Sequence, residues 1–143
     1  MKEILFRGKR VDNGKWVYGS LICAGSYVAI LENEDDVHPT DYPYLDDQIG
    51  TIDGKATLIV PSTVGQYTGL TDMNGKKIFE GDIVCYRTSC AHRTMKIIHQ
   101  AGGYIAADST SLLRMSNLKK DFWNKYMEVI GNIHDNPELL EEV

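Results

Sequence analysis

The chain has 143 residues, of which 43% are apolar, so it can bury a core and is not globally disordered. No apolar run approaches the ~20 residues needed to cross a bilayer, and residues 1–7 leave no room for the apolar stretch of a signal peptide. The net charge of −5 argues against strong nonspecific binding to nucleic acid, which requires positive charge.

The first part of the chain is predicted to form antiparallel strands. Two predicted strands, over 4–11 and 15–23, flank residues 12–14, whose Asn-Gly pair supplies the positive φ angles of a tight hairpin turn. A third strand is predicted over 27–31. Residues 32–47 then lose apolar periodicity, contain two prolines and carry seven of the eight acids of residues 31–54, which indicates a long exposed loop of a kind that is often functional.

The remaining chain is also predicted to be rich in strands. Residues 48–60 resume strand-like patterning around a turn at 53–54, a second Asn-Gly turn falls at 74–75, and a bend at 80–81 precedes a strand over 82–87. Further strands are predicted over 94–100, 104–107 and 127–133. Residues 112–126 are ambiguous between strand and a short helix capped by Asn117, and a short helix is predicted after Asn136 and Pro137.

About eight or nine short strands without βαβ alternation favour a mainly β fold, a small antiparallel barrel or sandwich with one or two short helices. We expect a single domain over 1–143, with possible lobes at 1–66 and 67–143. The glycine spacing after residue 80 is typical of an SH3-like barrel in the second lobe.

Three stretches of the chain, in the same order, resemble the sequence pattern of one family. The first is the opening, residues 4–10, 12–14 and Trp16-Val17. The second is a long central motif, residues 66–84, which we call the central signature. The third is the ending, residues 128–133 and 136–139. The chain resembles the YopX family, small proteins of phages and prophages in bacteria. The one departure is Met73, where lysine is more usual. The resemblance implies a β-rich fold and a bacterial host cytoplasm, and it supplies no enzymatic activity, catalytic set or ligand.

The central signature is best explained by folding requirements. Its glycines fit turns that need positive φ, and Asp72 and Asp82 fit side-chain caps of those turns. Ile78, Phe79 and the pair Ile83-Val84 fit core positions of strands. The alternative is that polar groups on these glycine-rich loops contact a ligand, although no phosphate-binding loop pattern is present.

No arrangement for catalysis or metal binding is predicted. Cys85, Cys90 and His92 form one loose group of soft ligands, whereas structural zinc sites usually have four ligands in two closely spaced pairs. An odd count of three cysteines without a secretion signal favours reduced thiols. We therefore expect no catalytic residues, no metal and no cofactor, and a hidden hydrolase or metal enzyme remains the third hypothesis.

Charge is distributed unevenly and supports a nucleic-acid hypothesis. Residues 31–54 carry eight acids and no lysine or arginine, whereas residues 76–120 carry eight basic residues. Candidate phosphate-binding residues are Arg87, Arg93, Lys96, Arg114, Lys119 and Lys120. Tyr86, Tyr104 and Trp123 are candidates for stacking on bases. The alternative is that the aromatic residues belong to the core and the charges are ordinary surface.

The favoured hypothesis is a non-enzymatic binding or adaptor module that acts through protein contacts. An acidic loop at 32–47 and basic flanks in one chain suit subunits that meet through opposite charges, so a homo-oligomer is expected. Host or phage proteins are possible further partners, and a nucleic-acid-binding SH3-like barrel is the second hypothesis. No membrane association is predicted.

Overall fold

The computed structural model describes residues 3–32, 45–46, 51–52, 56–88, 92–100, 102–109, 112–115 and 120–140. The chain divides into two compact units, Met1–Gln66 and Tyr67–Val143, with the boundary inside the strand Gly65–Thr71. Each unit is built on antiparallel strand pairs, so the predicted mainly β class is confirmed.

The first unit forms an antiparallel sheet in the order β4-β5-β6-β3-β2-β1-β7. Its strands are β1 (Phe6–Lys9), β2 (Trp16–Ala24), β3 (Tyr27–Glu32), β4 (Leu45–Asp46), β5 (Thr51–Ile52), β6 (Ala56–Leu58) and the start of β7 (Gly65–Thr71). A 3-10 turn at Pro61–Thr63 precedes β7. Of the loop predicted over 32–47, Glu32 ends β3 and Leu45–Asp46 form β4; residues 33–44 and 47 lie outside the described ranges.

The first hairpin is confirmed, with Lys9 opposite Trp16 and Gly14 at a φ of 72°. The Asn13 side-chain oxygen accepts a hydrogen bond of 2.9 Å from the Lys15 amide, which closes the turn. Nη2 of Arg10 donates to Oδ2 of Asp12 at 2.8 Å, and this hydrogen bond holds the pKa of the Asp12 carboxyl below its usual range. The hairpin packs on a core that includes Ile30 and Ile59.

The second unit contains a five-stranded antiparallel sheet in the order β12-β11-β10-β9-β13. Its strands are β8 (Lys77–Phe79), which pairs with the end of β7, and then β9 (Asp82–Arg87), β10 (His92–Gln100), β11 (Gly103–Ala107), β12 (Leu112–Arg114) and β13 (Met127–Asn132). Helix α1 (Lys120–Tyr126) precedes β13, and a 3-10 turn follows at Pro137–Leu140. Within the described ranges the sheet is open, since β12 and β13 are its two ends.

The ambiguous stretch 112–126 thus contains both a strand, β12, and a helix, α1. The proposed cap Asn117 lies outside the described residues. Trp123 anchors α1 on one face of the sheet, where it is fully buried with Val84, Ile97 and Met127. Nowhere in the described ranges is there a helix long and apolar enough to cross a membrane.

Candidate binding surfaces of the second unit

The signature carboxylates stabilise turns, as predicted. Asp72 is only 2% exposed, and its Oδ1 accepts hydrogen bonds of 2.9 Å from the amides of Asn74 and Lys76. Asp82 is equally buried, and its Oδ2 accepts a bond of 2.7 Å from the Phe79 amide. Both carboxylates therefore satisfy backbone donors that the turns would otherwise leave unpaired.

The other signature positions also have structural roles. Gly69, Gly75 and Gly81 adopt φ values of 90°, 78° and 93°, which non-glycine residues rarely adopt. The four predicted core positions, Ile78, Phe79, Ile83 and Val84, are all buried. The folding interpretation of the signature is confirmed at each of these positions.

Asp72 also closes one edge of the five-stranded sheet. Its Oδ2 accepts a hydrogen bond of 2.8 Å from the amide of Val129 in β13, and the Met73 amide donates to the Met127 carbonyl at 2.8 Å. These contacts satisfy outward-facing backbone groups of β13. The turn at residues 72–76 therefore blocks this edge against pairing with another strand.

The opposite edge, β12, is different. Within the described residues β12 pairs only with β11, and its first side chain, Leu112, is 64% exposed. A mainly apolar groove of about 330 Å³ adjoins it, lined by Tyr86, Arg93, Met95, Leu112, Leu113, Phe122 and Met127. An open strand edge beside an apolar groove is suited to binding an extended polypeptide segment.

Two of the predicted phosphate-binding residues are engaged in ion pairs. Arg87 pairs with Glu128 (Nε to Oε1, 3.2 Å), and Arg93 pairs with Asp108 (Nε to Oδ2, 3.1 Å). Lys96, Arg114 and Lys120 are exposed on β10, β12 and α1, and no ion pair joins them to other described residues. Lys119 lies outside the described residues. The strand register places Arg87, Lys96 and Arg114 on one face of the sheet, and Arg93 and Lys96 line one cavity of about 510 Å³.

The predicted stacking residues are mostly engaged in packing. Trp123 is fully buried, so the hypothesis that it stacks on bases is wrong. Tyr86 stacks on Phe122 with ring centroids 5.5 Å apart and planes at 13°. The rings of Tyr104 and His99 meet edge-on, with centroids 5.2 Å apart. Burial, with a smaller effect of the Glu80 charge, raises the pKa of Tyr104, so the Tyr104 hydroxyl stays neutral at ordinary pH.

One contact in this unit was not predicted. The Sγ atom of buried Cys85 lies 3.1 Å from Nε2 of His92. Cys85 pairs with Thr94 and His92 with Arg87, so the two side chains are diagonal neighbours on one sheet face. Cys90 lies outside the described residues, and among the residues that are described no group of three potential ligands could hold a metal ion. Neither Cys23 nor Cys85 forms a disulfide.

The fold and these surfaces define a small, mainly β protein whose most characteristic motif builds turns and closes a sheet edge. The YopX protein family matches residues 5–141, and the chain belongs to that family. The crystal structure of protein EF1440 from Enterococcus faecalis is similar, with a TM-score of 0.61 and 24% identity over 99% of this chain and 100% of that one. This likeness concerns the fold alone. Among curated proteins there is no match.

Proposed function

We propose that this YopX family member is a non-enzymatic accessory protein of a phage or prophage. In the proposal it acts in the bacterial host cytoplasm as a β-rich binding or adaptor module, without catalytic residues or cofactors. It works as a homo-oligomer that also contacts host or phage proteins. The observation that carries the proposal is the difference between the two edges of the five-stranded sheet.

Asp72 and Met73 close the edge at β13, whereas the edge at β12 carries the exposed side chain of Leu112. Every copy of the chain carries the same open edge, and two such edges can pair antiparallel around a twofold axis. We therefore assign β12 as the contact between two copies. The acidic residues at 32–47 and the basic residues of the second unit supply opposite charges for further contacts.

Replacing Leu112 by lysine is expected to convert the oligomer into a monomer. A charged side chain on an edge strand disfavours pairing with a second strand, and Leu112 is exposed enough for the substitution to leave the fold intact. Light scattering during size-exclusion chromatography measures the mass of both proteins. The wild type should have at least twice the monomer mass and L112K the monomer mass.

The matched control is Val11→Lys, which places the same charge on a half-exposed apolar residue of the first hairpin. V11K should keep the wild-type mass. A monomeric wild type at about 100 μM, well above the micromolar range of ordinary association, contradicts the proposed oligomer. An L112K protein of unchanged mass contradicts the assignment of β12.

The second candidate function is nucleic-acid binding. Strands β9 to β12 form a meander and β13 returns beside β9, a strand order that supports the SH3-like hypothesis. Fold likeness alone does not establish a function. The specific observation in favour is that Arg93 and Lys96 line the same cavity. Arg87 and Arg93 are held in ion pairs with Glu128 and Asp108, which reduces the positive charge that they can offer to phosphate groups.

This candidate predicts that a labelled oligonucleotide binds at low salt and dissociates as salt rises, because phosphate contacts release counterions. The substitutions K96Q and R114Q together should reduce the slope of log K against log salt by about 2, roughly one for each phosphate contact. Fluorescence anisotropy measures both quantities. Absence of binding at 20 mM salt, a condition in which phosphate contacts are strongest, eliminates this candidate.

A further inference from the structure

The cavity of about 510 Å³ beside β10 has the size of a small-molecule site. It lies between the start of β10, the end of β11 with the residues that follow, and the C-terminal 3-10 turn. One part of its wall is polar, with His92, Thr94, Lys96 and Ser109. Another part is apolar, with Leu139 and Leu140 from the 3-10 turn. The wall therefore suits a ligand that has one polar and one apolar end.

The polar part of the wall is positively charged. Arg93 and Asp108 both line the cavity and neutralise each other in an ion pair. Lys96 has no ion pair with other described residues, so its ammonium group leaves a positive charge at the wall. This excess of one positive charge in a concave wall favours an anionic ligand, even on a protein whose net charge is −5.

His92 contacts Cys85 through one ring nitrogen, since its Nε2 lies 3.1 Å from the Cys85 sulfur. When the thiol donates to Nε2, the ring proton is on Nδ1, and Nδ1 can donate a hydrogen bond to an anionic ligand. When Nε2–H donates to the sulfur, Nδ1 accepts hydrogen bonds instead. The anion therefore depends first on Lys96, and His92 adds a donor in one of its two tautomers.

We propose that this cavity binds a small phosphate monoester whose organic group is apolar. The ammonium group of Lys96 and the hydroxyl group of Thr94 line the polar part of the wall and can donate hydrogen bonds to the oxygen atoms of a phosphate group. The organic group packs against Leu139 and Leu140. Arg93 lines both this cavity and the groove beside β12, whereas Thr94 and Lys96 line only the cavity, so the K96Q test addresses the ligand and not the proposed oligomer.

The test is titration of the full chain, labelled with ¹⁵N, with phenyl phosphate as the probe. The amide signals of Thr94, Lys96 and Leu139 should shift and saturate. Inorganic phosphate, which lacks the apolar group, and benzoate, which lacks the phosphate, should each bind several-fold more weakly. The substitution K96Q should weaken phenyl phosphate binding about tenfold, as expected for a lost charge-assisted hydrogen bond.

The matched control is K125Q, which removes a lysine of α1 that does not line the cavity. It should bind phenyl phosphate like the wild type. Because Lys96 is exposed, K96Q should keep the wild-type spectrum without ligand, which separates lost binding from lost folding. Shifts that do not saturate, equal binding by benzoate, or an unchanged affinity of K96Q overturns the proposal. Equal binding by inorganic phosphate overturns the assigned apolar group.

Discussion

Replacing Asp72 by alanine is expected to lower the free energy of unfolding by about 3 kcal/mol or more, since each unsatisfied backbone donor costs ~1–3 kcal/mol. The carboxylate accepts hydrogen bonds from the amides of Asn74, Lys76 and Val129, at 2.8–2.9 Å. Alanine leaves all three donors without this partner. Urea denaturation followed by circular dichroism measures the loss.

Two variants test the cause. Asp72→Asn keeps one side-chain oxygen, so its loss should lie between those of the wild type and D72A. Glu138→Ala removes an exposed carboxylate in the C-terminal 3-10 turn and should change stability by no more than about 0.5 kcal/mol. A D72A protein as stable as E138A would show that the signature carboxylate does not hold the turn and β13 together.

Replacing Trp123 by alanine is expected to cost about 3–5 kcal/mol, the usual loss for a large aromatic side chain removed from a core. Trp123 is fully buried and contacts the sheet face through the cluster that includes Met95, Ile97 and Met127. Its removal opens a cavity beneath α1. The change is measured by urea denaturation with circular dichroism, because the substitution also removes a fluorophore.

Trp123→Phe should cost less than W123A, because the phenyl ring fills part of the cavity. It also removes the indole Nε1, which is buried and has no hydrogen-bond partner among the described residues. Lys125→Ala, on the exposed face of the same helix, is the matched control and should be nearly neutral. Equal stability of W123A and K125A would contradict the position of α1 on the sheet.

Local chemistry explains why the signature could be interpreted from sequence. A glycine at a positive φ and an aspartate that caps a turn depend on residues within a few positions of one another. Gly75 and the two amides that Asp72 binds within its own turn follow this rule. The third bond of Asp72, to Val129, joins residues 57 positions apart. No local pattern predicts it, so the closed edge at β13 could not be foreseen.

The candidate sites were less predictable because they depend on strand register. The strand predicted from residue 94 begins two residues earlier, at His92, and this places His92 beside Cys85. The pairing of β9 with β13 likewise brings Glu128 to Arg87, which removes one expected phosphate contact. An apolar Leu112 in an ambiguous segment gave no sign that its strand would end a sheet.

Hydrogen exchange of the backbone amides, followed at several protein concentrations, tests the proposed contact at β12 most directly. The amides of Leu112–Arg114 that point away from β11 should become more protected as concentration rises, because a second copy covers this edge. The Val129 amide, already bound to Asp72, should be protected equally at every concentration. Protection of β12 that does not change with concentration would contradict the proposed contact between two copies.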